Sequence, residues 1–194
     1  MTNRTLVVSI DALITADIPV LKQLPNLGRV MEHASWITDI ECIYPTLTYP
    51  CHATIATGCW PDRTGINNNE IPDFFAKGRM DWYWWREAIQ VPTVVDFARQ
   101  AGLTASTVTW PVMCASGAEY NIGEIWAPRE EDDPTPWFTR ANSPAVAKIF
   151  EANKHMLRWM KTPQMDEFAA KCAADIIRAH RPDLMPVSYT HLTL

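Results

Sequence analysis

The sequence predicts an α/β fold, a three-layer α/β/α sandwich with a mainly parallel sheet. Short apolar runs rich in β-branched residues alternate with amphipathic segments, in the order strand, helix, strand, helix. The first run ends in the polar residue Asp11, and the C-terminal ends of such strands are where α/β folds carry their chemistry. The 194 residues are 47% hydrophobic and 20% charged, which suffices for one core and excludes disordered, collagen-like and low-complexity chains.

The N-terminal elements follow from periodicity and from the positions of proline and glycine. Residues 6–10 form a continuous apolar run that predicts a buried parallel strand. Apolar residues three and four apart predict a helix over residues 25–34, and residues 36–44 are expected to form the next strand. A short helix is predicted over residues 50–57, where Gly58 ends it.

The second half of the chain continues the alternation less regularly. Residues 67–87 lack a clear period, and we expect them to cross the active face of the sheet. Residues 124–140 carry an acidic run and several prolines, which predicts a loop with its charges on a solvated surface. The remaining predicted elements are a helix over 92–101, a strand over 104–110, and helices over 144–160 and 163–180.

Charge and hydropathy exclude two classes of partner. The formal net charge is −5 and no cluster of lysine and arginine could track a phosphate backbone, so no nucleic-acid polymer is expected as a partner. No run approaches the roughly 20 apolar residues that span a bilayer, so no membrane partner is expected. The N-terminus shows no signal-peptide pattern, which predicts a cytoplasmic chain. The oligomeric state is left open.

The segment with the clearest chemistry spans residues 44–58. It places Thr46 and Thr48 on a proline-bounded turn directly before a helix, where free backbone N–H groups and the helix dipole favour a phosphoryl oxygen. A helix cap is the alternative role for such a threonine. A threonine hydroxyl needs a general base or a metal ion to become a nucleophile, and Asp11 could supply part of a metal site or serve as a turn residue.

Taken together, residues 7–12, 24–27, 44–52 and 57–69 resemble the type I phosphodiesterase/nucleotide pyrophosphatase family of the alkaline phosphatase superfamily. The family pattern P-T-x-T-F/Y-P-N-H, followed by T-G-x-x-P and then by G-I and an asparagine, is long and specific. The resemblance is clear over residues 5–125. It implies an alkaline phosphatase-like fold, of which this chain would be a truncated, N-terminal part.

The resemblance also implies roles for three residues. Asp11 and Thr48 would bind the first of two divalent metal ions, expected to be zinc (Zn2+), and Thr48 would also be the nucleophile. The amide of Asn69 would donate to a phosphoryl oxygen, beside the N–H groups of the helix. The metal would lower the pKa of the threonine hydroxyl, and a metal-bound water would hydrolyse a phosphothreonine intermediate.

Some residues depart from the family pattern or allow two interpretations. The five cysteines include no C-x-x-C pair, which predicts reduced, mostly buried thiols, and Cys51 stands where the family has asparagine. His52 matches the motif, and a structural hydrogen-bonding role is favoured over metal binding. The aromatic cluster at residues 82–85 either stacks on a nucleobase or packs beneath its own loop.

The sequence lacks most of the ligands that the family's two-metal site requires. His33, His155 and His180 lie on predicted helices without the expected aspartate–histidine spacing. Residues 187–194 resemble the translation of a transposon-type sequencing adapter, so His191 is not counted as a ligand; an ordinary polar strand or tail is the alternative. We therefore expect residues 1–186 to be the N-terminal part of one catalytic domain, followed by a non-native tail.

The resemblance thus implies a metal-dependent hydrolase of small-molecule phosphodiester or nucleotide pyrophosphate substrates, with little activity in this chain alone. A phosphonate or phosphomonoester hydrolase of the same superfamily is the alternative within the class. A non-catalytic binding module that uses the aromatic cluster is the alternative outside it.

Overall fold

The computed structural model describes residues 4–38, 40–72, 81–126, 132–158 and 163–189, and within these ranges it contains a four-stranded parallel sheet. The spatial order is β1, β4, β2, β3, so the strand that comes last in the described chain lies next to the first. Leu6 pairs with Met185, and Val108 pairs with Val187. The strands are β1 (Thr5–Ile10), β2 (Ser106–Val108), β3 (Tyr120–Ile122) and β4 (Leu184–Tyr189).

Helices cover both faces of this sheet. Alternate residues of β4 point to opposite faces, so Ser188 faces α3 whereas Met185 lines a cavity together with Ile177 of α8. The helices are α1 (Ile18–Leu21), α2 (Pro25–Met31), α3 (Thr48–Thr57), α4 (Pro61–Thr64), α5 (Val94–Gln100), α6 (Thr135–Ala141), α7 (Ala147–Asn153) and α8 (Gln164–His180). Short 3₁₀ turns span Thr15–Asp17, Arg86–Ala88, Pro144–Val146 and Lys154–Met156. The α/β/α prediction is confirmed.

Four predicted elements differ from the structure. The strand over residues 6–10 is parallel, as predicted, but it is not buried, since Leu6 and Val8 are 54% and 49% exposed. Residues 36–44 form no strand where they are described; Ile37 is 82% exposed, and the sheet offers this segment no partner strand. The loop predicted over 124–140 contains α6, which begins at a Thr-Pro pair because proline is tolerated in the first helical turn. The helix predicted over 144–160 is α7 flanked by two 3₁₀ turns.

The cysteines are all free, as predicted, but they are not mostly buried. Cys114 and Cys172 are buried, Cys51 and Cys59 are half-buried, and Cys42 is exposed. Within the described ranges, no helix is both long enough and apolar enough to cross a membrane.

Helix α3 is fixed to the rest of the fold at two residues, of which Tyr49 is the first. Its ring is fully buried and lies edge to face against Trp82 and Trp84, with ring centroids 5.3 and 6.0 Å away. Its hydroxyl donates a hydrogen bond of 3.1 Å to Oε2 of Glu124, which lies just after β3. Burial raises the pKa of Glu124 to about 8 despite the opposing effect of the Tyr49 bond, so Glu124 is a neutral acid at pH 7.

His52 is the second attachment and connects α3 to two strands. Its Nδ1 lies 2.8 Å from the carbonyl oxygen of Thr48; because a carbonyl only accepts, Nδ1 carries the hydrogen. Nε2 is then the acceptor for the hydroxyls of Ser9 on β1 and Ser188 on β4, at 3.0 and 3.1 Å. The ring lies edge to face against Trp110, and desolvation lowers its pKa. These contacts are those of a neutral, structural histidine.

The pKa of Glu124 predicts that the free energy of unfolding falls as the pH rises from about 4.5 to about 8. In this window the unfolded chain releases the Glu124 proton and the folded chain keeps it. Ionisation therefore favours unfolding by up to about 1.4 kcal/mol per pH unit. Glu124→Gln keeps an oxygen acceptor for Tyr49 but cannot ionise, so its stability should depend less on pH. Urea unfolding at several pH values measures the difference.

The exposed Glu87 provides the matched control, since Glu87→Gln removes the same formal charge from the surface. Its pH dependence should follow that of the wild-type chain. Parallel pH profiles for the wild-type chain and Glu124→Gln would show that the buried carboxyl does not hold its proton in the folded state.

Candidate active site

Asp11 and Thr48, which the sequence predicted to share a site, lie in direct contact. Asp11 directly follows β1, and its N–H donates to the carbonyl oxygen of Tyr189 at 3.1 Å. Thr48 is the first residue of α3, and its Oγ1 donates to Oδ2 of Asp11 at 2.9 Å. Both residues are half-buried. The contact therefore lies at the C-terminal edge of the sheet, which is where α/β folds bind their ligands.

The hydroxyl of Thr48 does not cap the helix. The residue in the N-cap position is Leu47, with extended backbone angles and no side-chain hydrogen bond to the helix. Thr48 occupies the first helical position instead, where its side chain is directed to Asp11. The geometry thus disfavours the capping alternative, because the hydroxyl is engaged with a carboxylate rather than with backbone N–H groups.

Asn69 reaches the same helix end through its carbonyl oxygen. Oδ1 of Asn69 accepts a hydrogen bond of 2.9 Å from the N–H of Tyr49, so the amide is held with Nδ2 as its donor end. Pro50 has no N–H, and the N–H of Cys51 donates to the carbonyl oxygen of Leu47.

These bonds correct the expectation that several helix N–H groups would hold a phosphoryl group. The second, third and fourth residues of α3 offer no free N–H group. The N–H of Tyr49 is bonded to Asn69, Pro50 has no N–H, and the N–H of Cys51 is bonded to Leu47. Among the described residues, the N–H of Thr48 has no acceptor and is the donor that this helix end offers. A phosphoryl group would therefore meet one backbone N–H of Thr48 and the amide Nδ2 of Asn69.

The donors for a metal ion at this site are Oδ2 of Asp11 and Oγ1 of Thr48. Within the described ranges, no group of three or more histidine, cysteine, aspartate or glutamate residues could hold a metal ion. The described residues therefore fit part of one metal site and do not fit a complete two-metal centre.

The histidines that the sequence offered do not complete the site. Both ring nitrogens of His52 already have protein partners. His33 and His155 are exposed, and His180 stacks on Tyr120 at the opposite, N-terminal end of β3. His191 lies outside the described residues.

The aromatic cluster at residues 82–85 is packed against the protein. Trp82 and Trp84 stack on each other with centroids 5.4 Å apart, and Trp84 is 6% exposed. The guanidinium of Arg140 lies over the ring of Trp85 at 4.3 Å. These contacts are those that the packing interpretation predicts, and they support Tyr49 from beneath the site.

Four residues important for the site were not identified from the sequence. Ser9 and Ser188 hold His52 by hydrogen bonds. The feature of the sequence that could have pointed to them is a serine within a largely apolar strand. Glu124 lies just after β3, and its place could be predicted only if β3 were predicted first. The sequence pattern does not reveal this strand, which has only three residues. Tyr49 was visible as part of the motif, but its partner was not.

A family model described as type I phosphodiesterase / nucleotide pyrophosphatase matches residues 5–192. Human ectonucleotide pyrophosphatase/phosphodiesterase family member 1 is 28% identical over 112 residues, which cover 53% of this chain and 11% of that protein. Venom phosphodiesterase 2 of Crotalus adamanteus is 26% identical over 151 residues, covering 73% of this chain and 16% of that protein. The chain thus spans less than a quarter of the length of these relatives.

Two solved structures share the fold. Phosphonoacetate hydrolase from Sinorhizobium meliloti superposes with a TM-score of 0.66 at 18% identity, covering 96% of this chain and 46% of that one. Murine ectonucleotide pyrophosphatase/phosphodiesterase 5 superposes with a TM-score of 0.55 at 17% identity, covering 97% and 43%. The fold is therefore that of the alkaline phosphatase-like hydrolases. With its motif region, its fold and a family model that matches nearly its whole length, the chain belongs to the type I phosphodiesterase/nucleotide pyrophosphatase family.

Proposed function

We propose that this chain is the N-terminal part of a metal-dependent hydrolase that cleaves phosphodiester or nucleotide pyrophosphate bonds through a phosphothreonine at Thr48. The contact of 2.9 Å between Oγ1 of Thr48 and Oδ2 of Asp11 carries the proposal. Relatives support the substrate class: human ENPP4 is a bis(5'-adenosyl)-triphosphatase, and an inactive threonine-to-alanine variant of murine ENPP5 was solved in complex with AMP. The substrate would be a small nucleotide or phosphodiester.

The residues of this chain have separate tasks in that reaction. Thr48 loses its hydroxyl proton to solvent and attacks phosphorus with Oγ1, so that the Oγ1–phosphorus bond forms while the bond to the leaving group breaks. Asp11 orients the hydroxyl before attack, because it accepts its hydrogen bond. Nδ2 of Asn69 and the N–H of Thr48 donate to the phosphoryl oxygens as charge develops on them. Water then hydrolyses the phosphothreonine and restores the hydroxyl.

Two divalent metal ions, expected to be zinc, complete the proposed enzyme. A bound metal ion would supply the Lewis acidity that makes a threonine hydroxyl nucleophilic at neutral pH. Asp11 and Thr48 would hold the first ion, and the other ligands would come from sequence beyond residue 186. Two oxygen donors rarely retain a catalytic zinc ion, so the 194-residue chain should be nearly inactive.

The 194-residue chain should therefore show little or no hydrolysis of a nitrophenyl phosphodiester in the presence of added zinc. The nitrophenolate released is measured by absorbance, and Thr48→Ala supplies the background rate. Robust hydrolysis that Thr48→Ala abolishes would confirm the nucleophile and refute the claim that this chain is an inactive fragment.

Residues 187–189 complete β4, Ser188 bonds to His52, and the family model extends to residue 192, which fits the alternative of an ordinary strand. The coding DNA decides between that alternative and the foreign tail. Reading past residue 194 in all frames should reveal adapter sequence beginning near codon 187. A continuous frame without adapter sequence, encoding Asp-x-x-x-His at this point, would refute the foreign origin of residues 187–194.

In the protein translated from the complete reading frame, Thr48→Ala should lower kcat by at least about 10³-fold, because it removes the hydroxyl that is proposed to form the intermediate. Asn69→Ala should lower it by about 10²- to 10³-fold, the usual effect of losing one donor to a developing oxyanion. Acid-quenched samples analysed by mass spectrometry should carry the phosphoryl group on Thr48. Phosphonoacetate, tested in parallel, distinguishes the phosphonate hydrolase alternative.

The other threonine of the motif is the matched control. Thr46 is exposed and precedes the helix by two residues, so Thr46→Ala should leave kcat near the wild-type value. Equal losses for Thr46→Ala and Thr48→Ala would indicate that the turn, rather than the Thr48 hydroxyl, determines activity.

A further inference from the structure

Two cysteines lie beside each other next to the candidate site. The Sγ atoms of Cys42 and Cys51 are 3.3 Å apart, and neither cysteine forms a disulfide. Cys51 lies in the first turn of α3, and Cys42 lies on the extended segment that leads into it. The reaction proposed for Thr48 uses neither thiol.

The geometry favours a bond between these two sulfurs. A disulfide requires the Sγ atoms to approach to about 2.05 Å, which is a movement of about 1.3 Å from their present positions. The segment that carries Cys42 forms no strand pairing where it is described, so it can make this movement without breaking the sheet. The resulting ring would enclose Thr48 and the turn that precedes it.

The surroundings of the two thiols determine which of them reacts first with an oxidant. Cys42 is exposed, so a dissolved oxidant reaches it first, whereas Cys51 is half-buried. Burial and the contact with Cys42 raise the pKa of the Cys51 thiol to about 12. Cys51 therefore stays protonated and can donate its S–H to the sulfur of Cys42.

We propose that Cys42 and Cys51 are a redox-active pair that a low-molecular-weight disulfide, such as oxidised glutathione, converts reversibly to an intramolecular disulfide. The Cys42 thiolate attacks one sulfur of oxidised glutathione, forming a mixed disulfide and releasing one glutathione thiolate. Cys51, which is protonated until this step, then attacks the Cys42 sulfur while its proton passes through solvent to the second glutathione, which leaves as a thiol. Two protein thiols are oxidised while one small disulfide is reduced to two thiols.

The bond would fix the entrance to α3 covalently. The ring that it closes contains both motif threonines, so the turn carrying Thr48 would be tied to the helix from both ends. In the oxidised form this turn should resist proteolysis more than in the reduced form, because a closed ring of this size samples fewer open conformations.

The test uses the purified 194-residue chain and oxidised glutathione, followed by alkylation, digestion and mass spectrometry. We expect a cross-linked peptide pair joining Cys42 to Cys51, a fall from five to three thiols that can be alkylated in denaturant, and complete reversal by a dithiol reductant. Closure should need about tenfold less oxidised glutathione than stable glutathionylation of Cys59, because the second step is intramolecular. The yield should not depend on protein concentration.

Three variants separate the outcomes. Cys42→Ser and Cys51→Ser should each abolish the cross-link, while Cys59→Ser, which removes another half-buried thiol, should leave it intact. Circular dichroism of each variant confirms that it is folded. Persistent glutathione adducts on Cys42 without closure, a cross-link that involves Cys59, or a cross-link between two chains would overturn the proposal. None of these readouts depends on hydrolytic activity.

Discussion

The attachment of helix α3 to the sheet is the constraint on which the site depends. Thr48 is one residue before Tyr49 and four before His52, and both of these side chains are buried with hydrogen bonds to other elements. The first turn of the helix therefore cannot rotate or slide without breaking a buried bond, which is costly. This is how an exposed turn comes to present a hydroxyl to Asp11 with defined geometry.

The buried groups that attach α3 to the rest of the fold are uncharged at neutral pH. Glu124 is held as a neutral acid, and His52 is a neutral imidazole whose pKa is lowered by desolvation. Asp11 is thus the carboxylate that faces Thr48, and its charge is not offset by a cationic His52. A half-buried carboxylate beside a hydroxyl suits a divalent cation better than it suits an anionic substrate alone.

The family resemblance implied that Asp11 and Thr48 share a site, whereas the local patterns alone left each of them a turn or capping role as an alternative; the structure places the two side chains in contact. The sequence did not reveal that the side-chain carbonyl oxygen of Asn69 accepts a hydrogen bond from the N–H of Tyr49, since that contact depends on how a distant loop returns to the helix.

The prediction of a strand over residues 36–44 was wrong for a related reason. β-Propensity is local, whereas a strand also needs a partner, and the described chain provides none there. β3 was missed because three residues carry too short a pattern.

The position of β4 has a consequence for synthesis. Of the described strands it is made last, yet it lies between β1 and β2 in the sheet. On the ribosome β2 and β3 can pair as soon as both have emerged, whereas β1 has no neighbour until β4 arrives. Until then the backbone N–H and C=O groups of β1 that pair with β4 have no strand partner, and His52 lacks its bond to Ser188. Translation speed across the intervening segment thus sets how long this unpaired strand is available to other nascent chains.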